Sequence, residues 1–324
     1  MSFEKTIDTI DNYAPVIIPT LNRYEHLKQC LESLEKCTGA DKTEVYIGLD
    51  YPPSEKYVEG WKKLDAYLTI KEKNHGFKRL IVRRRDHNCG VGNVKLLKKE
   101  VIDNYDRYIA SEDDNVFAPS FLDFVNKCLK EYENDPQVIT VSGYTHPFFY
   151  NNNRPLIFTY DNCGWGGGYW KAKELDREKM PKDYYRNMLL SSRISLKLFL
   201  NYPVLLSHLI SMVNRGVIYG DTMRTCRNIL NHTYQVRPYK SLVKNIGYDG
   251  SGAHSASTER FFFENQELLE EAVYPFEMQK PEQCVSMFTM WRFSLKPDTL
   301  RRIRIILKSF YLYLKFRLNN KKKS

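Results

Sequence analysis

The chain has 324 residues, of which 42% are hydrophobic and 14% aromatic; that suffices for one large domain with an appendage, or for two domains, and excludes a disordered chain. Seven cysteines are scattered, odd in number and without CxxC spacing, which argues against a disulfide framework or zinc site and for a reducing compartment. The net charge of +10 is uneven, because Lys296–Ser324 carries ten Lys or Arg and a single acid; the near-neutral body excludes the basic footprint expected for nucleic acid.

Met1–Tyr13 includes Glu4, Asp8 and Asp11 and has no long apolar run, so no secretory signal is expected. Tyr13–Thr20 (YAPVIIPT) reads as a first strand, followed by Leu21-Asn22-Arg23 and a helix with apolar positions at Leu27, Cys30, Leu31 and Leu34. Glu44–Leu49 is a second strand ended by Asp50-Tyr51-Pro52-Pro53, and Glu55–Leu68 has helical spacing. Arg79–Arg83 is a third strand; the Asn88–Asn93 loop leads into a helix at Val94–Tyr105. Arg107-Tyr108-Ile109-Ala110 forms a fourth strand running into Glu112-Asp113-Asp114, then comes a helix over 120–132 and a fifth strand at Gln137–Ser142. This alternation over about 140 residues predicts an α/β fold, a mostly parallel sheet flanked by helices.

The second half is less regular. Phe158–Trp170 mixes glycines with aromatics, Met188–Val213 reads as an amphipathic or partly buried helical pair broken by Pro203, and 215–227 and 235–239 read as helix and extended chain. Gly247–Gly252 is a flexible loop leading to His254, and 298–318 is a basic amphipathic helix. The expected division is a catalytic domain over 1–290, with a nucleotide half to about 145 and an acceptor half after it, and a membrane-associating tail over 291–324.

Open α/β sheets bind ligands at the carboxyl ends of their strands, so the polar residues there are the candidate site: Thr20, Arg23, Asp50, Asn88 and Gly90, Glu112, Asp113 and Asp114. Three adjacent carboxylates repel one another unless a cation compensates; a hard divalent ion sharing them with substrate phosphates is one answer, and a solvated turn is the other. Asp50 is either a hydrogen-bond acceptor for a nucleotide or a turn-starting residue, and Arg23 either a base or phosphate contact or a surface arginine. Asp221 is either a helix N-cap or a general base. His254 is a surface histidine or a metal or phosphate ligand. Trp165 and Gly166 belong to a tight turn or to the floor under a sugar. The Pro19–Tyr24 turn has no glycine and no lysine-bearing phosphate loop occurs, which weighs against a dinucleotide dehydrogenase or a P-loop enzyme.

Pro15-Val16-Ile17-Ile18-Pro19-Thr20-Leu21-Asn22-Arg23 resembles the opening strand of family 2-like, nucleotide-sugar-dependent glycosyltransferases with the A-type fold. Glu112-Asp113-Asp114 with Val116-Phe117-Ala118-Pro119-Ser120-Phe121 resembles the Glu-Asp-Asp signature of N-acetylglucosaminyltransferase I and its relatives. The resemblance runs from about Ala14 to Ser255. It implies a Rossmann-like fold, Mn2+ (or Mg2+) bound at Asp114 against the donor diphosphate, Glu112 and Asp113 near donor sugar and ribose, and Arg23 and Asp50 near the base. Gly220-Asp221-Thr222-Met223-Arg224 corresponds to the segment holding the catalytic Asp of inverting enzymes, although one acid stands here where those relatives carry two. Arg237-Pro238 through Gly247 to His254 resembles that family's later loop.

The expected function is transfer of a sugar from a UDP-sugar, of the UDP-GlcNAc kind, to a saccharide or lipid-linked saccharide in surface polysaccharide synthesis. The expected location is cytoplasmic, peripheral at an anionic membrane surface reached by the tail, whose other reading is a helix docked on the body. The rival functions are a nucleotidyltransferase or pyrophosphorylase, and a non-catalytic carbohydrate- or membrane-binding module.

Overall fold

The computed structural model describes residues 13–147, 154–174, 183–251, 266–282 and 299–321, so His254 lies outside the described residues. The first half alternates β1 (Val16–Thr20), α1 (Tyr24–Glu35), β2 (Glu44–Leu49), α2 (Val58–Lys71), β3 (Arg79–Arg84), α3 (Val91–Ile102), β4 (Arg107–Ala110), β5 (Asn115–Phe117), α4 (Phe121–Glu131) and β6 (Val138–Ser142). The second adds β7 (Leu156–Thr159), β8 (Gly167–Trp170), α5 (Tyr184–Leu190), α6 (Ser192–Asn201), α7 (Leu205–Arg215), α8 (Gly220–Asn231), β9 (Tyr234–Pro238), β10 (Val243–Asn245) and α9 (Thr299–Lys321).

Eight strands form one mixed, mostly parallel sheet in the order β3-β2-β1-β4-β8-β6-β9-β7, and β5 pairs with β10 in a small antiparallel ribbon. Side chains alternate across a strand, and β1 uses both faces. Ile17 packs with Tyr46, Leu97, Val101, Tyr108 and Tyr169 beneath α3, while Ile18 joins the cluster built with α1, α2 and α4. Leu27, Cys30, Leu31 and Leu34 of α1 are fully buried, as their spacing predicts. Truncating one of these leucines to Ala costs about 2–5 kcal/mol.

Chain order reverses beside β1: the chain winds out through β2 and β3 and returns to lay β4 on the other flank. That reversal opens a crevice at the carboxyl ends of β1 and β4, where Thr20 and the acids after Ala110 stand.

The five expected strands of the first half all form, but the second half departs from expectation. Phe158–Trp170 contains the ends of two strands, β7 and β8. Glycine has little strand preference, yet Gly168 is required in β8, because a Cβ there would lie 2.8 Å from Val125 Cγ1. The expected helical pair is three helices, α5, α6 and α7, since Ser191 and Pro203 each interrupt the run. Arg215 ends α7 rather than starting the next helix, with Gly216 taking the left-handed conformation after it (φ +65°). Helix α9 docks on the body by one face: Ser309, Tyr313 and Phe316 are buried, and Ser309 Oγ donates to the Pro203 carbonyl at 2.5 Å. No helix among the described residues is long and apolar enough to cross a membrane.

Candidate active site

Arg23, at the mouth of α1, reaches across the crevice into the acid triplet. Its Nη2 pairs with Asp113 Oδ1, and its Nη1 donates to Asp114 Oδ2 at 2.8 Å. Thr20 Oγ1 donates to Asp113 Oδ2 at 2.8 Å. Burial opposes the charge on Arg23, but Asp113 and Asp114 outweigh it and raise its pKa further. Burial likewise pushes the Asp113 carboxyl up, with Arg23 pulling it back.

Asp114 is fixed from a second side. Asn245 Nδ2 donates to its Oδ1 at 2.7 Å, and the Ile246 amide to its carbonyl at 2.8 Å. Gly247 lies so close that a Cβ there would be 2.0 Å from Asp114 Oδ2. The β5–β10 ribbon therefore clamps the third acid from beneath, and Asn245 and Gly247 belong to the site although sequence reading passed over Asn245.

Glu112 differs from its neighbours. Its side chain touches solvent in the crevice, yet it is ringed by protein. That enclosure, and the charges of Asp114, Asp221 and Asp113, push its pKa up to about 8 against the pull of Arg23. Asp221, more than a hundred residues away in sequence, thus stands near the triplet.

Asp221 is in the first turn of α8, whose N-cap is Tyr219, so it is not the cap, and its side chain is exposed. One turn on, Arg224 anchors the helix: its guanidinium lies 4.8 Å from the Tyr169 ring centroid and 3.2 Å from Glu174 Oε1. Asn162 Nδ2 donates to Asp221 Oδ1 at 2.9 Å. Asn162 is itself held by Thr140 and Gln235, and Gln235 Oε1 accepts from Arg237 at 2.8 Å. Arg237 is fully buried and pairs with Asp161 Oδ2 at 2.8 Å. Asn162 and Gln235 were missed from sequence; a glutamine inside an apolar strand (YQVRP) was the available signal.

Asp50 sits at the end of β2 but is spent on the neighbouring loop. Its Oδ1 accepts from the amides of Tyr51 and Cys89, and its Oδ2 from the Gly90 amide and Asn88 Nδ2. Asp50, Asn88 and Gly90 thus form one motif, with Gly90 at φ +51°, a backbone shape that glycine adopts without strain. Gly166 (φ +59°) is a packing residue, since a Cβ would lie 2.6 Å from Phe121. Trp165 stands edge-on to Tyr144 at 4.7 Å and to Tyr248 at 6.1 Å.

Four acids, Glu112, Asp113, Asp114 and Asp221, gather near two guanidinium groups, Arg23 beside the triplet and Arg224 beside Asp221, and the excess of acids suits a divalent cation. Among the described residues no three His, Cys, Asp or Glu converge to hold an ion unaided. Asp113 accepts from Arg23 and Thr20 and Asp114 from Arg23 and Asn245, so an ion here would draw on Glu112 and share Asp114 with its protein donors. One or two carboxylates completed by phosphate oxygens is how Mg2+ and similar ions are usually kept, and the residues fit that arrangement.

No protein-family model matches the chain, and no curated protein matches it. Solved structures similar to it include the mannosyltransferase PcManGT from Pyrobaculum calidifontis in complex with GDP-Man and Mn2+, at 17% identity over 51% of this chain and 46% of that one (TM-score 0.35). S. aureus TarS 1-349 in complex with UDP-GlcNAc is 15% identical over 75% of this chain and 62% of that one (TM-score 0.42). GalNAc-T7 with UDP, GalNAc and Mn2+ is 11% identical over 76% and 46% (TM-score 0.45). The chain spans about half the length of PcManGT and less of full TarS.

Proposed function

We propose that this chain is a metal-dependent, inverting glycosyltransferase that moves a sugar from a UDP-sugar to a saccharide or lipid-linked saccharide acceptor at a membrane surface. The observation that carries this reading is that Asp221, in the first turn of α8, lies within electrostatic reach of Glu112 in the triplet at the carboxyl ends of β1 and β4. The triplet is a place for a diphosphate and its cation, and Asp221 is an exposed carboxylate presented from a different element. Glu112 and Asp114 would hold Mn2+ or Mg2+, which neutralises the leaving diphosphate when bound. Arg23 opposes the effect of burial on Asp113 and orients both aspartates. Asp221, which accepts from Asn162 at Oδ1, is the base that takes the proton of an acceptor hydroxyl. Attack from the face opposite the diphosphate inverts the anomeric carbon in one displacement.

The nucleotidyltransferase reading gains nothing from the geometry: only Leu21–Arg23 separate β1 from α1, too few to wrap a triphosphate.

Thermal shift against a panel of UDP- and GDP-sugars with Mn2+, followed by transfer assays on the stabilising donor, tests the reading. We expect Mn2+-dependent stabilisation by a UDP-sugar that Asp114→Asn removes and Asp221→Asn retains, with transfer lost in both. Metal-independent binding of every donor, or full transfer by Asp221→Asn, would overturn it.

A further inference from the structure

Residues 184–220 contain no acid, and neither does α9, so the charged side chains of α6 and α9 are all basic. Helix α6 brings Arg193 and Lys197; α9 brings Arg304, Lys308, Lys315 and Arg317. The same helices expose apolar side chains. Ile303, Leu307, Phe310, Leu314 and Leu318 are each 44–64% exposed and recur every three or four residues, which aligns them on one side of α9 over about 22 Å. Leu196 and Leu200 of α6 are more than half exposed as well.

Between α6 and α9 runs a groove of about 520 Å³ whose walls include Leu196, Phe199, Phe310 and Leu314. Arg317, hydrogen-bonded to Ser192 and Tyr313, lies on its wall. Because Tyr313 and Phe316 pin the opposite side of α9 to the body, the stripe is a fixed surface and not the inner face of an undocked helix. Soluble monomers seldom leave so continuous an apolar patch uncovered, and a basic rim around it matches an anionic bilayer.

We propose that α6 and α9 together form a docking face for anionic phospholipid membranes, with the groove taking one acyl chain and the basic rim meeting lipid phosphates. This rests on the membrane-surface part of the function proposed above and requires no sugar transfer for its test. Helix α6 packs on α8, whose first turn carries Asp221, so the docking face is joined directly to the helix that presents the candidate base.

Co-sedimentation of the full chain with vesicles of phosphatidylcholine containing about a third phosphatidylglycerol tests the docking. We expect binding to these vesicles and at least tenfold weaker binding to pure phosphatidylcholine. Lys308→Glu/Lys315→Glu should lose only the anionic preference, whereas Leu307→Ser/Phe310→Ser should lose binding at least tenfold on both, each with an unchanged circular dichroism spectrum. Phe199→Trp reports on the groove: mid-chain brominated phospholipid should quench its added fluorescence at least twofold on vesicle binding. Vesicle binding unchanged by both double variants, a stable dimer broken by Leu307→Ser/Phe310→Ser without vesicle binding, or bound Phe199→Trp that bromine leaves unquenched would each overturn the proposal. Sugar transfer without vesicle binding would overturn it too, while leaving the transferase reading intact.

Discussion

Asn162 Nδ2 and Asp221 Oδ1 stand 2.9 Å apart, joining the loop after β7 to the first turn of α8. Asn162 is buried and held from behind by Thr140 and Gln235, so it donates from a fixed position. An amide donor stabilises the ionised carboxylate it faces and restricts its rotation.

Removing that donor should affect turnover more than binding. Asn162→Ala is expected to lower kcat by about 10- to 100-fold with little change in donor KM, and to raise the acidic limb of the pH–rate profile. Steady-state kinetics against pH, with Asn162→Ser as a conservative control, check this. An unaltered profile would make Asn162 a packing residue only.

The clamp beneath the triplet gives a second expectation. A Cβ at Gly247 would collide with Asp114 Oδ2, so Gly247→Ala must displace the carboxylate from Arg23. Mn2+-dependent UDP binding should weaken at least tenfold by calorimetry, for a stability loss of about 1–3 kcal/mol in denaturant unfolding. Arg23→Ala should share the binding defect through a different route, since Asp113 and Asp114 lose their common cation.

Much of this arrangement was legible in the chain itself. The strand and helix run to Ser142, apart from the short β5 that pairs with the distant β10, and the acids at the carboxyl end of β4, follow from local hydrophobic periodicity. Asp50 was found as a strand-end acid, yet its partners, the Cys89 and Gly90 amides, are some forty residues away and depend on how β3 returns. Asn245 and Asn162 carry no local signal, because short-range pattern does not encode which distant carboxylate a buried amide meets. Gly167 and Gly168, in a stretch that reads as a tight turn or a sugar floor, are strand residues for the same reason: the packing of Gly168 on Val125 and Val141 leaves no mark in local pattern.

The ion pair behind Gln235 sets a pH expectation. Burial raises the Asp161 carboxyl, but Arg237 and His146 outweigh this and hold it down at about 2. A carboxylate depressed in the folded state adds stability above its unfolded pKa, near 3.9, and loses it as pH falls through the folded value. Acid unfolding should therefore draw on this pair between about pH 4 and pH 2. Asp161→Asn should flatten that part of the stability–pH curve and cost about 3–5 kcal/mol at pH 7, since the fully buried Arg237 would lose its counter-charge. Chemical denaturation across pH 2–7 checks both.

The position of β8 decides how the molecule can be divided. It runs antiparallel between β4 and β6, pairing Ile109 with Gly168 and Ser142 with Gly167. A fragment ending near residue 145 would keep β4 and β6 but lose β8 and β9, leaving β4 with an open edge and β6 with no partner on either side, edges open to aggregation. The stretches before and after residue 145 are thus interlocked in assembly: neither piece should survive expression alone, and proteolytic nicks between them should leave a non-covalent complex that holds together until denatured.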